Sequence, residues 1–397
     1  MRVLWVQRSA ALLGGAERVV HDAAGLLARG IPDPGGKEPD GVDQHLLFDP
    51  TAPLDPAFLT PFRTAFPWAD LPRQIETLDP DVIYLHQVGP AEVEAVARSR
   101  RPSVRFLHDH APFCLRRHKY TAIGHRTCTR PLGIHCLPCL GFLERRDGLW
   151  PVGFRSLSEA RAELGAHRGL TALAVGSRYM KDHVVMHGFP PASVEVLPLF
   201  APAPEAPPES PPDPNLLVFL GALTRGKGLD LLLRAMTLLP REVRLRVLGT
   251  GPQEAWLREV AGHLGVAPRV EWSGALPRAA IAGHLREALC LVVPSREPET
   301  FGLVGLEAFR HGTPVIASRA GGVGEWLQEG RTGLAFPPGE WRALAQVLGE
   351  LRQDPARARA MGLAGREVLS QRFLPDHHAR ALWDLLRRVA GTGRAPG

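Results

Sequence analysis

Short apolar runs alternate with stretches of helical spacing along most of the chain. Past residue 214 the pattern predicts strands at 216–220, 244–248, 269–272 and 291–293, separated by helices at 229–239, 254–264 and 278–289. Strands this short and this uniformly apolar suit a parallel sheet covered on both faces by the intervening helices. The first half reads the same way. Strands are expected at 3–6, 82–85, 104–107 and 172–175, with a helix at 16–28 closed by Gly30. Between the halves, residues 201–214 hold prolines at nearly every second position, which excludes a helix or central strand and predicts a semi-rigid connector. The expected fold class is therefore α/β: two Rossmann-like doubly wound parallel-sheet domains, 1–200 and 215–374, facing across a cleft. Residues 375–397 follow the break at Pro375 and carry a final helix, about 377–389, that folds back on one of the two halves, the amino-terminal one being the expectation.

Composition narrows this further. At 397 residues, with 45% hydrophobic and 22% charged positions, the chain has material for two ordinary cores and is not disordered. No apolar run approaches the roughly 20 residues of a bilayer span. The start, Met1 to Val6, runs straight into a strand with no small-residue cleavage site, so a cytoplasmic protein is expected. The net charge is +6 and unevenly spread: between Arg98 and Arg146, eleven Lys and Arg face only Asp109 and Glu144. With 7% aromatic residues and no recognised module, nucleic acid is not an expected partner, whereas an anionic acceptor or a peripheral membrane contact fits such a patch.

Ligands of open parallel sheets sit beyond the carboxyl ends of the strands, so the candidate chemistry lies in strand-to-helix loops. After strand 291–293, a helix opening near Gly302 would leave the N–H groups of Phe301, Gly302 and Leu303 without intrahelical partners, at the positive end of its dipole. That is a phosphate site. Glu307, in the second turn, leans back toward this end and can accept from two vicinal hydroxyls, as a ribose offers. Glu299 can do the same for a second polyol such as a sugar. The loop 221–228 adds Arg225 and Lys227, the latter one of four lysines, and an ammonium suits a diphosphate. Gly14-Gly15 and the stretch from Gly249 both lack the G-x-G-x-x-G spacing, so a dinucleotide fingerprint is absent. Asp79-Pro80-Asp81 matches a D-x-D metal motif but reads as the turn that opens strand 82–85.

Together these residues resemble the family 4 retaining glycosyltransferases, of the glycosyltransferase B architecture. Glu299-Thr300-Phe301-Gly302 through Glu307-Ala308, followed by 311–318, is similar to that family's E-x7-E signature. The blocks from Gly14 to Arg18, Gly321 to Glu325 and Gly330 to Leu334 follow the family's order. The resemblance implies transfer of a sugar from a nucleoside diphosphate sugar to an unidentified acceptor, with no bound divalent ion required. It implies that Glu307 binds ribose, Glu299 the sugar and Lys227 the diphosphate. Phe301, Gly302 and Leu303 would offer backbone N–H groups, and Gly15 would let the first domain approach the phosphates. It also implies a role at the sugar for His108. One position departs: an arginine that the family places on the diphosphate is here Ala222, with Arg225 three residues on as the candidate replacement. A nucleotide-sugar-binding protein without transferase activity, or an epimerase of the same architecture, are the alternatives.

Cys114, Cys128, Cys136 and Cys139 lie in a Pro-, Gly- and His-rich insertion at about 110–142 assigned to the first domain. Their C-x13-C-x7-C-x2-C spacing is compatible with a structural zinc, with a disulfide pair or with free thiols. Cys290 reads as core.

Overall fold

The computed structural model describes residues 1–30, 42–122, 124, 126–145, 152–207 and 210–392. Arg146 of the basic stretch, Ile123 and His125 of the insertion, and Pro208 and Glu209 of the connector lie outside the described residues.

The chain forms two compact units. One is made of Met1–Arg117, Pro131–Phe200 and Pro375–Gly397; the other of His118–Arg130 and Ala201–Leu374. In the first unit, β1 (Arg2–Gln7), β2 (Asp43–Phe48), β3 (Thr64–Pro67), β4 (Val82–Leu85) and β5 (Ser103–Leu107) come first. A small hairpin of β6 (Leu143–Arg145) and β7 (Val152–Phe154) precedes β8 (Ala172–Val175) and β9 (Val194–Val196). All but the hairpin join one parallel sheet in the order β3-β2-β1-β4-β5-β8-β9. The second unit holds β10 (Asp213–Leu220), β11 (Arg244–Leu248), β12 (Val270–Gly274), β13 (Ala288–Val293), β14 (Val315–Ser318) and β15 (Gly333–Phe336), in the order β12-β11-β10-β13-β14-β15.

The apolar runs sit at the sheet centres for the reason their pattern suggests. β4, β13 and β14 are buried along their whole length, and β1 in all but its first residue, because helices cover both faces. The strands β2, β3 and β9 escaped the sequence reading: β3 and β9 are the two edges of the sheet, VEV carrying a polar residue that an edge tolerates, and β2, though interior and buried after its first residue, reads DQHLLF, with three polar positions that break the apolar run. Helix α1 (Gly15–Ala28) follows β1; α2 (Leu71–Leu78), α3 (Pro90–Ser99), α4 (Leu157–Ala166) and α5 (Arg178–Met186) complete the first unit's interior set. The second unit adds α6 (Leu229–Met236), α7 (Glu254–His263), α8 (Arg278–Glu287), α9 (Leu303–Arg310), α10 (Trp341–Arg352) and α11 (Pro355–Arg372).

Three details bear on the sequence expectations. The proline-rich stretch is not a free connector: Ala201 donates to the Phe373 carbonyl, and the Glu205 carboxylate pairs with Arg286 and Arg310. The final helix, α12 (Pro375–Gly391), packs on α1, β4 and β5, pinned by His378 Nδ1 on the Pro198 carbonyl at 2.8 Å and by Arg388 on Glu195. The cysteine-bearing insertion is divided, its stretch His118–Arg130 belonging to the second unit. Among the described residues no helix is long and apolar enough to cross a membrane.

Candidate active site

In the second unit the strand order reverses between β10 and β13, and the loops that leave their carboxyl ends border this switch point. The first loop carries Arg225 and Lys227 in a single turn before α6; the second runs from Pro294 to Gly302 and leads into α9.

Lys227 and Glu299 meet here. The Lys227 ammonium lies 2.9 and 3.0 Å from the two Glu299 carboxylate oxygens and 2.8 Å from Glu297 Oε1. Burial alone would drive the ammonium toward neutrality, but Glu299 and Glu297 outweigh it and hold Lys227 protonated beyond the ordinary lysine range. Ser295 donates its hydroxyl to Glu299 Oε1 at 2.5 Å, while Gly322 N–H donates to the Glu299 carbonyl at 2.6 Å. Beneath them, Arg296 forks onto Asp230 with two bonds of 2.6 Å, both partners buried. A bidentate pair this enclosed locks the loop to α6.

Gly302 is the N-cap of α9 and takes φ +87° directly over the Trp326 ring, where a Cβ would sit 3.3 Å from the indole. No side chain caps the helix, so the first-turn N–H groups point out of its amino end. Phe301 is core, its carbonyl receiving the Trp326 indole N–H at 2.7 Å. Glu307, one turn in, is gripped by Arg278 from the start of α8: Nε lies 3.1 and 3.0 Å from its two oxygens and Nη2 2.5 Å from one. His311 Nε2 stands 3.4 Å away and Arg310 3.7 Å. Burial would raise this carboxyl, yet His311 and Arg278 pull it down to about 2.

The other expected residues are placed as follows. Ala222 is exposed, and the Arg225 guanidinium lies 4.4 Å over the Trp256 ring of α7. In the first unit, Gly14 is extended and Gly15 opens α1, both exposed. His108 directly follows β5, with Nε2 at 2.9 Å from Nδ1 of His86, a ring stacked between Trp5 and Phe106. Burial, then Arg105 and His378, push His108 down to about 3, so it is a neutral imidazole. The four clustered cysteines are half-buried and divided: Cys114, Cys136 and Cys139 fall in one unit and Cys128 in the other. Among the described residues no three His, Cys, Asp or Glu gather as metal ligands would. Cys128 lies in a turn of the second unit, its N–H donating to the Lys119 carbonyl.

Sequence reasoning passed over Asp230, Arg278, Ser295, Arg296, His311 and Trp326. Asp230 did leave a signal, a lone carboxylate inside the apolar run LDLLLRAM.

Comparison with known proteins agrees with this geometry. The fold is that of the glycosyltransferase B enzymes: the Anabaena protein HepE, crystallised with UDP, superposes with a TM-score of 0.72 over 98% of this chain and 100% of its own, at 18% identity. Residues 204–368 match the family described as Glycosyl transferases group 1, and residues 13–201 the one described as Glycosyltransferase Family 4. A GDP-mannose-dependent α-(1-6)-phosphatidylinositol monomannoside mannosyltransferase of Mycolicibacterium smegmatis is 34% identical over 260 residues, 58% of this chain and 68% of that protein. A D-inositol 3-phosphate glycosyltransferase of Thermobifida fusca is 36% identical over 187 residues, 44% of this chain and 41% of that one. The chain belongs to the family 4 glycosyltransferases.

Proposed function

We propose that this glycosyltransferase moves a hexosyl group from a nucleoside diphosphate sugar to an acceptor hydroxyl, with retention at the anomeric carbon and without a metal ion. In that reaction the bond from C1 to the β-phosphate oxygen breaks and its electron pair stays with the diphosphate. The acceptor oxygen bonds to C1, and its proton ends on the released diphosphate. The observation that carries the reading is the pairing of Lys227 with Glu299 across the two loops of the switch point, together with that of Arg278, at the start of α8, with Glu307 in α9, the helix the second loop leads into. The protonated Lys227 and the first-turn N–H groups of α9 supply the positive field that a departing diphosphate needs. Glu307, ionised at any working pH, accepts the ribose hydroxyls, and Glu299 accepts those of the sugar. His108 enters as a neutral hydrogen-bonding group for the sugar and not as an acid.

The mannosyltransferase relative makes GDP-mannose the first donor to try, and its lipid acceptor directs attention to the insertion. Ile134, Leu137 and Leu140 are exposed in it, within the arginine-rich stretch 98–146, and Leu143 and Phe154 are exposed as cross-strand partners in the hairpin that follows. This supports a peripheral contact with anionic lipid. The test is transfer from GDP-mannose and UDP-glucose in the presence of EDTA, with the product anomer read by NMR. Retained configuration with undiminished rate is expected; an inverted product or loss of rate with EDTA would overturn the reading. Sedimentation with phosphatidylglycerol vesicles, weakened in Phe154→Ser, checks the lipid contact.

A further inference from the structure

The stretch His118–Arg130 is bounded on both sides by sequence of the first unit yet packs as part of the second. It is built as a tight turn. Tyr120 pairs with Thr127 across it, Thr121 N–H donates to the Arg126 carbonyl at 2.9 Å, and Cys128 N–H to the Lys119 carbonyl at 2.7 Å. Lys119 is buried at φ +54° with its ammonium on the Arg130 carbonyl, which closes the base of the turn.

The turn reaches the two site loops at the point where they are joined to each other. The Gly226 carbonyl accepts from the N–H groups of both Arg296, at 2.8 Å, and Glu297, at 3.2 Å. The Thr127 hydroxyl donates to the Arg296 carbonyl at 2.7 Å. The Tyr120 ring lies against Gly226, where a Cβ would come within 3.2 Å of Cε1 and would also strike the Glu297 carboxylate. The His118 ring stacks on that of Tyr120, centroids 3.8 Å apart. Gly226 adjoins Lys227, and Arg296 stands three residues before Glu299.

We propose that this turn is a clasp for the donor loops and that Thr127 is a positioning residue: its hydroxyl fixes the Arg296 carbonyl, and through the Gly226 junction it sets where Lys227 meets Glu297 and Glu299. This inference rests on the donor reading above for its effect on turnover, but the clasp itself is a property of the loops.

The experiment uses the full chain and the variants Thr127→Val, which keeps the shape and removes the hydroxyl, and Thr127→Ser, which keeps the hydroxyl. Binding of GDP and UDP is measured by calorimetry, donor and acceptor KM by steady-state assay, and backbone amide exchange over 224–228 and 295–299 by mass spectrometry. Thr127→Val is expected to weaken the bound nucleotide and raise donor KM about tenfold, with acceptor KM unmoved, and Thr127→Ser to restore both within about twofold. Exchange at the Arg296 and Glu297 amides quickens in Thr127→Val and not in Thr127→Ser. Tyr120→Leu, which takes the ring off Gly226, gives the same loosening and stands in should Thr127→Val fold poorly. Wild-type affinity and exchange in Thr127→Val would overturn the proposal, as would equal damage from valine and serine. If the wild type binds neither nucleotide while exchange still quickens in Thr127→Val and not in Thr127→Ser, the clasp is supported and the donor reading falls.

Discussion

Arg278 and Glu307 form a three-bond fork in which every carboxylate oxygen of Glu307 receives a guanidinium N–H. The carboxylate is thereby fixed in rotamer and in charge, with Arg278 supplying the order. Glu307→Ala removes the acceptor altogether and is expected to weaken nucleotide binding about a hundredfold. Arg278→Ala leaves the acceptor in place but unheld, so affinity falls by about tenfold. Calorimetry with GDP and UDP ranks the two; an arginine variant as damaging as the glutamate variant would mean that Arg278 itself is the ligand.

Lys227 sits between two carboxylates, so its removal does more than delete a cation. Without it Glu297 and Glu299 are left without the ammonium they share, two carboxylates facing each other, an arrangement that costs stability. Lys227→Ala is expected to lose donor binding below detection and to lower Tm, whereas Lys227→Ala with Glu297→Gln regains Tm without regaining binding. Thermal melts and calorimetry on both variants separate the structural from the ligand-binding share; recovery of binding in the double variant would mean that Lys227 does not hold the diphosphate.

Ala222 is exposed in the loop after β10, while the nearest candidate cation, Arg225, lies over Trp256. A guanidinium on an indole face gains about 0.5–1 kcal/mol at an exposed site, which a diphosphate has to outbid. Ala222→Arg adds a cation with no such competitor and is expected to tighten nucleoside diphosphate binding about tenfold at low salt, with the gain shrinking as ionic strength rises. Isotherms at two salt concentrations decide it. Equal affinity in the variant would show that the loop already carries the charge it needs.

The parts of this site that run along one stretch of chain were legible, and those that depend on packing between elements were not. The E-x7-E spacing marks Glu299 and Glu307 because both lie between β13 and the end of α9 and so keep their separation whatever surrounds them. Arg278 reaches Glu307 from another helix, and Asp230 reaches Arg296 from 66 residues away. No spacing announces such pairs. The divided insertion shows the same limit from another side: its sequence neighbours are all in the first unit, yet the side-chain and backbone partners of Tyr120 and Thr127 are Gly226 and Arg296.

His378 carries the final helix's contact with the first unit and does so uncharged. Its Nδ1 is committed to the Pro198 carbonyl, and burial outweighs that bond to push the ring down to about 4. His108 and His167 are pushed to about 3, in each case first by burial, and His86 is lowered by the same cause. An unfolded chain protonates these rings from 6.5 downward while the folded one does not. Their stabilising contribution is thus complete above pH 6.5 and is lost as pH falls toward 4 and 3, at about 1.4 kcal/mol per pH unit for each ring. Glu307, ionised down to about 2, adds a loss of the same sign below 4.5. Urea unfolding between pH 7.5 and 4.5 is expected to show stability dropping steeply with acid. His378→Asn keeps an amide donor for Pro198 and has nothing to titrate, so its curve is shallower by about 1.4 kcal/mol per pH unit below 6.5. Parallel curves for the variant and the wild type would mean that His378 is already protonated in the fold.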